Sequence, residues 1–105
     1  MSKNYKEMSD FELMINVARE INFLGLLPAK TLGKQISSLT LDDFDPCNNP
    51  LDAWPVIVEF DITVRGGGVA YVDRNHFDVP IYVTRNRNPL RAAMICFLKM
   101  KDNEQ

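Results

Sequence analysis

His76, the only histidine, stands between Asp73 and Asp78, the residue types of a general base oriented by a carboxylate. No serine or cysteine nucleophile lies beside it in sequence, so the triplet reads as a loop without catalytic duty, and no catalytic residue is assigned. Cys47 and Cys96 lie far apart and form no Cys-x-x-Cys or Cys/His pattern, which gives metal ligation no support and predicts two reduced thiols. Asp42, Asp43 and Asp45 crowd three carboxylates, but the proline-rich stretch after them lacks the alternating oxygens and central glycine of a calcium loop. They are read as turn-forming residues whose side chains bond nearby amides. Gly66-Gly67-Gly68 would need a helix amino terminus after it to cradle a phosphate; a strand pattern follows, so the glycines mark a hairpin tip. No cofactor and no metal are therefore expected.

Two sets of residues suit recognition rather than reaction. Arg85, Arg87 and Arg91 surround a helix entrance at Asn88-Pro89, where guanidinium groups and helix amides could hold phosphates, with Tyr71 or Tyr82 available for stacking. Trp54, the only tryptophan, lies in the segment that carries Pro46, Pro50 and Pro55. Charge is distributed unevenly. Five cations face ten carboxylates from Met1 to Asp61, whereas seven cations face two carboxylates from Ile62 to Lys101. Such polarity can steer an acidic partner to the carboxyl-terminal half or let two copies associate head to tail. The slight net negative charge of the whole chain is not that of a dedicated nucleic-acid binder.

The elements that must position these groups follow from periodicity. Met1 to Met8 is polar and expected to fray, as are residues 102–105. Ser9-Asp10-Phe11-Glu12 is a capping box, and Phe11, Met14, Ile15 and Ala18 at helical spacing predict an amphipathic helix to about Phe23. Gly25 suits the left-handed position after it, and Pro28 prevents resumption. Ile36, Leu39 and Leu41 allow a short strand. Asn49 could cap a helix with Pro50 at its first position, but Pro55 would then sit in the interior against the carbonyl of Leu51. Capping by Asp52 places Pro55 in the first turn of a helix from Ala53 to about Phe60, and that is the preferred reading. It makes Trp54 a buried anchor at the helix entrance.

Further on, Ile62–Arg65 and Val69–Asp73 read as strands of a hairpin across the three glycines, with Ile62 and Val64 sharing a face with Val69 and Tyr71. Val79–Thr84 can add a third strand, with Pro80 limiting it to an edge or to its first residues. Asn88 then caps a helix with Pro89 at its first position, and Leu90, Ala93, Met94, Phe97 and Leu98 form its apolar stripe. The chain of 105 residues, 46% apolar and 25% charged, is long enough to bury a core without a disulfide or metal staple. No signal-peptide pattern or membrane-length apolar run is present. The expected fold is one small α+β domain over 1–105: amphipathic helices at both ends, a short helix at Trp54, and a small, mostly antiparallel sheet with a glycine-rich hairpin.

Two separated segments also carry a resemblance. "FDPCNNPLDAWPVIVEFDI" and, after a variable middle, "NPLRAAMICFLKMK" resemble the NinX-like family of small proteins from lambdoid phages and prophages. The matching residues are Pro46, Asp52, Ala53, Trp54, Pro55, Ile57, Glu59 and Ile62, then Pro89, Leu90, Ala92, Ala93 and Met94. The stretch from Gly66 to Arg87 departs from the family's middle. The resemblance implies a phage or prophage origin and action in the bacterial cytoplasm, and it supplies no catalytic residues. Together these readings predict a non-catalytic accessory protein that binds a host or phage macromolecule, without a membrane, through Trp54, Arg85, Arg87 and Arg91. The alternative is nucleic-acid binding at the arginine-lined helix entrance.

Overall fold

A computed structural model describes residues 4–72 and 82–103. Among them are three α-helices, α1 (Asp10–Ile21), α2 (Pro50–Glu59) and α3 (Pro89–Asn103), and three strands, β1 (Thr63–Arg65), β2 (Val69–Val72) and β3 (Tyr82–Arg85). The strands form one antiparallel sheet in the order β1-β2-β3. This is a small α+β fold, as the element pattern predicts. His76 and its flanking aspartates, with Pro80 and the start of the third strand, lie outside the described residues.

The capping box forms as read: Glu12 N–H donates to the Ser9 hydroxyl and Ser9 N–H to the Glu12 carboxylate, each at 3.1 Å. The helix ends in a 3-10 turn at Asn22–Leu24, followed by Gly25 at φ 72°, a left-handed conformation that costs glycine little. Its buried stripe is Leu13, Met14, Val17, Ala18 and Ile21, so the helix is rotated from the expected setting and Phe11 is exposed. The amino-terminal segment is not frayed throughout. Tyr5 is 3% exposed, and its hydroxyl donates to the Asp102 carboxylate, tying together two regions expected to be loose. Between α1 and α2 the chain makes 3-10 turns at Ala29–Thr31 and Ile36–Ser38. No strand forms at Ile36–Leu41; Leu39 alone is buried there.

Helix α3 is the axis of the molecule. Every residue from Ala92 to Leu98 is buried, and so is Met100, because the sheet packs on one side while α1 and α2 pack on others. The expected single apolar stripe therefore understates it: a helix covered all round needs small residues where its neighbours approach, and Ala92, Ala93 and Cys96 provide them. Phe44, Leu13, Met14, Val56 and Val72 fill the space around it, and its own Phe97 ring lies 4.7 Å from that of Phe60 at 52°.

Two of the three carboxylates before the proline segment, Asp43 and Asp45, organise turns, whereas Asp42 contributes its backbone carbonyl, which accepts from Lys30. Asp43 accepts from the Thr40 amide at 3.0 Å and hydroxyl at 3.2 Å and pairs with Lys34 at 2.6 Å. Asp45 accepts from the Asn48 side chain. Hydrogen bonding to Lys34, then to Thr40, lowers the Asp43 pKa to about 2. A carboxyl depressed by folding contributes stability above its unfolded pKa near 3.9 and loses it as pH falls toward 2. Asp43→Asn is therefore expected to leave stability at neutral pH only slightly changed and to flatten its pH dependence between about 4 and 2. Urea midpoints measured across that window check this.

Candidate functional site

Helix α2 starts at Pro50 with Asn49 as its cap, the Asn49 side chain accepting from Leu51 N–H at 3.0 Å. The setting that the sequence disfavoured is therefore the one adopted, with Pro55 inside the helix. Asp52 does not cap. Its carboxylate is buried and accepts the Asp45 amide at 2.8 Å, joining the turn before the helix to the helix itself. Pro55 deprives the Leu51 carbonyl of its helical donor, but Leu51 is on the solvent side of the helix, where an unmade backbone bond costs least.

This setting turns Asp52, Ala53, Val56 and Ile57 inward and Trp54 outward. Trp54 is 63% exposed, not a buried anchor. Leu51 at 82% and Val58 at 57% lie three residues before and four after it, so one stripe of the helix shows an indole and two aliphatic side chains to solvent. Beside the stripe runs an open groove of about 480 Å³, in which Leu51 and Pro55 face Leu26, Leu27, Pro28 and Lys30.

The arginines separate into two roles. Arg91 is only 15% exposed and pairs with Asp10 at 2.6 Å; its other nitrogen donates to the backbone carbonyls of Lys6 and Met8. It is a structural tie, not a free cation at a helix entrance. Its neighbour Asn88 caps α3 as expected, accepting from Leu90 and Arg91 N–H at 3.0 and 3.3 Å. The same side chain donates to the Cys47 carbonyl and the Asn48 side chain, and Asn48 donates to Asp10 at 2.9 Å. One polar network thus joins the starts of α1 and α3 to the Pro46–Asn49 turn. Arg85 and Arg87 remain exposed and border a shallow hollow of about 390 Å³ with Gly67, Gly68, Val69 and Asn86. Trp54 does not line it.

Strand register decides what accompanies them. Val64, Ala70 and Thr84 lie in one cross-strand row, and Arg65, Val69 and Arg85 in the next. Ala70 and Thr84 are buried, so Val64 faces the core with Ala70, not with Val69 and Tyr71 as the hairpin pattern suggested. Val69 and Tyr71 lie on the outer face. There the Arg65 guanidinium sits 5.6 Å from the centre of the Tyr71 ring, a cation–π contact that holds it against the sheet. Arg65 was not singled out by sequence reasoning. Placing it in line with Arg85 across Val69 requires the register, which three consecutive glycines leave open.

Neither thiol is prepared for chemistry. Both are fully buried; burial pushes Cys47 up to about 12, with the Asp10 charge adding to it, and Cys96 up to about 11. At neutral pH both are protonated and weakly nucleophilic. A disulfide-exchange reagent at pH 8 is expected to label neither in the native protein and both in denaturant. Because the folded thiols titrate above their unfolded values, their contribution to stability is complete below pH 8.5 or so and declines as pH rises toward about 11 for Cys96 and about 12 for Cys47. Tyr5, raised by burial and then by its Asp102 bond, acts in the same direction. Among the described residues no group of histidine, cysteine and carboxylate side chains is placed to hold a metal.

The two segments around Trp54 and Asn88, now seen to meet through the Asn88–Cys47 bond, are those that carry the family resemblance. The sequence profile of the family described as "Bacteriophage P22, NinX" matches residues 4–101. The chain belongs to the phage NinX family. The matched range spans Gly66–Arg87. Searches among curated proteins and among solved structures gave no match. No helix among the described residues is long and apolar enough to cross a membrane.

Proposed function

We propose that this NinX-family chain is a non-catalytic phage accessory protein that acts in the bacterial cytoplasm by docking a host or phage protein on the outer face of α2. The observation that carries the reading is the Leu51, Trp54 and Val58 stripe beside the Leu26–Pro28 groove. Clustered exposed apolar side chains on a small domain mark interaction surfaces, and tryptophan is the residue type that most often dominates them. A stripe at helical spacing beside a groove suits an amphipathic helix or an extended apolar segment of the partner. The protonated, buried thiols support the non-catalytic part of the reading.

Affinity capture from infected bacteria, with the wild-type chain and the Leu51→Ser/Val58→Ser variant side by side, tests it. The partner is expected to be retained by the first and lost by the second. Titrating the purified partner should shift Trp54 emission to the blue, since the indole leaves water and the chain has no other tryptophan. An identical capture profile for the two proteins, or emission unmoved at saturating partner, would remove this surface.

A further inference from the structure

We propose that the outer face of the β-sheet, at its glycine-turn end, is a second binding site whose ligand is single-stranded nucleic acid. Arg65 and Arg85 flank Val69 on the two neighbouring strands, which sets their backbones about 10 Å apart across the sheet. Arg87 follows at the end of β3, beside the same hollow. All three are exposed, and among the described residues none forms an ion pair. Three like charges are thus gathered on one end of a sheet without counter-ions, an arrangement that attracts a polyanion.

Tyr71 holds the Arg65 guanidinium in place, and Gly68 holds the other two. The Asn86 amide donates to the Gly68 carbonyl at 2.7 Å, and Gly68 N–H to the Arg65 carbonyl at 3.0 Å, so the turn and the Arg85-Asn86-Arg87 segment are fastened together. The row beside the arginines carries Thr63, Tyr71 and Val83, with Val83 exposed and Tyr71 half-buried. A duplex keeps its bases stacked inside and would offer this face phosphates and groove edges but no base planes. A single strand offers phosphates to the arginines and unstacked bases to the tyrosine, the valines and the guanidinium planes.

Fluorescence anisotropy with a labelled oligothymidylate of about 15 nucleotides tests this. Three phosphate contacts on a single strand predict a slope of log affinity against log salt near −2, or a loss of roughly twentyfold from about 50 to about 200 mM salt. Arg65→Gln, Arg85→Gln and Arg87→Gln should each reduce the slope by about 0.7, and the triple variant should abolish binding while its circular dichroism is retained. Should the triple variant fail to fold, the single substitutions at the exposed Arg65 and Arg87 decide, and unchanged slopes overturn the site. No binding at about 50 mM salt overturns it too. Equal competition by duplex DNA, or by polyglutamate, which has charge but no bases, overturns the assignment to single strands. The Leu51→Ser/Val58→Ser variant should bind the oligonucleotide normally, which separates this site from the α2 surface.

Discussion

Replacing Arg91 by alanine is expected to lower the unfolding free energy by about 2–4 kcal/mol, because removing one partner of a largely buried ion pair leaves the others without compensation. The pair is not fully dry, since Asp10 keeps 35% of its side-chain surface exposed, which argues against the upper end of the usual range for buried pairs. Three acceptors lose a donor at once: the carbonyls of Lys6 and Met8 and the Asp10 carboxylate, which keeps Asn48. With the two carbonyls released, the turn that holds Tyr5 in the core loses its tether to the start of α3 and keeps only the Tyr5–Asp102 bond at the other end of the helix. For a domain of this size the loss corresponds to a melting temperature lower by roughly 10–20 °C. Lysine should recover less than half of it, because an ammonium group does not reproduce the planar fork that reaches a carboxylate and a backbone carbonyl together. Thermal melts of the three proteins check this, and an alanine variant as stable as the wild type would show that the tie is dispensable.

Gly68→Ala is expected to cost a similar amount, about 2–4 kcal/mol, by a different route. Its φ of 87° is unfavourable for any side chain, and a Cβ built there would lie 1.9 Å from the Asn86 carbonyl oxygen. That neighbour is backbone held by the hairpin's own bond, so it cannot swing aside as a flexible side chain would. Relief requires β2 and the Arg85–Arg87 segment to separate, which also unpairs the sheet at the arginine end. Gly67→Ala is the control, since a Cβ there meets nothing within 4 Å, and its effect should stay within about 0.5 kcal/mol. Chemical denaturation of both variants decides the matter: equal stabilities would mean that the hairpin tip adapts without cost. If the sheet face binds a single strand, Gly68→Ala should also weaken oligonucleotide binding, with Arg65, Arg85 and Arg87 still present.

What the chain determines locally was legible in advance. The Ser9–Glu12 box, the glycine after α1, the Asn88-Pro89 start of α3 and the hairpin across three glycines each depend on residues within a few positions of one another. Family membership was legible for the same reason, from two short runs around Trp54 and Pro89. Side-chain direction was not. Asp52 takes the Asp45 amide instead of capping α2, and the helix packs Ala53, Val56 and Ile57 inward, which leaves the tryptophan in solvent. Arg91 read as a free cation because Asp10, its partner, lies 81 residues away. Arg65 escaped notice because only cross-strand register sets it in one row with Arg85, across Val69. Caps and turns are decided by neighbours in sequence, whereas the pairing of charges and the exposure of a face are decided by which distant surfaces pack together.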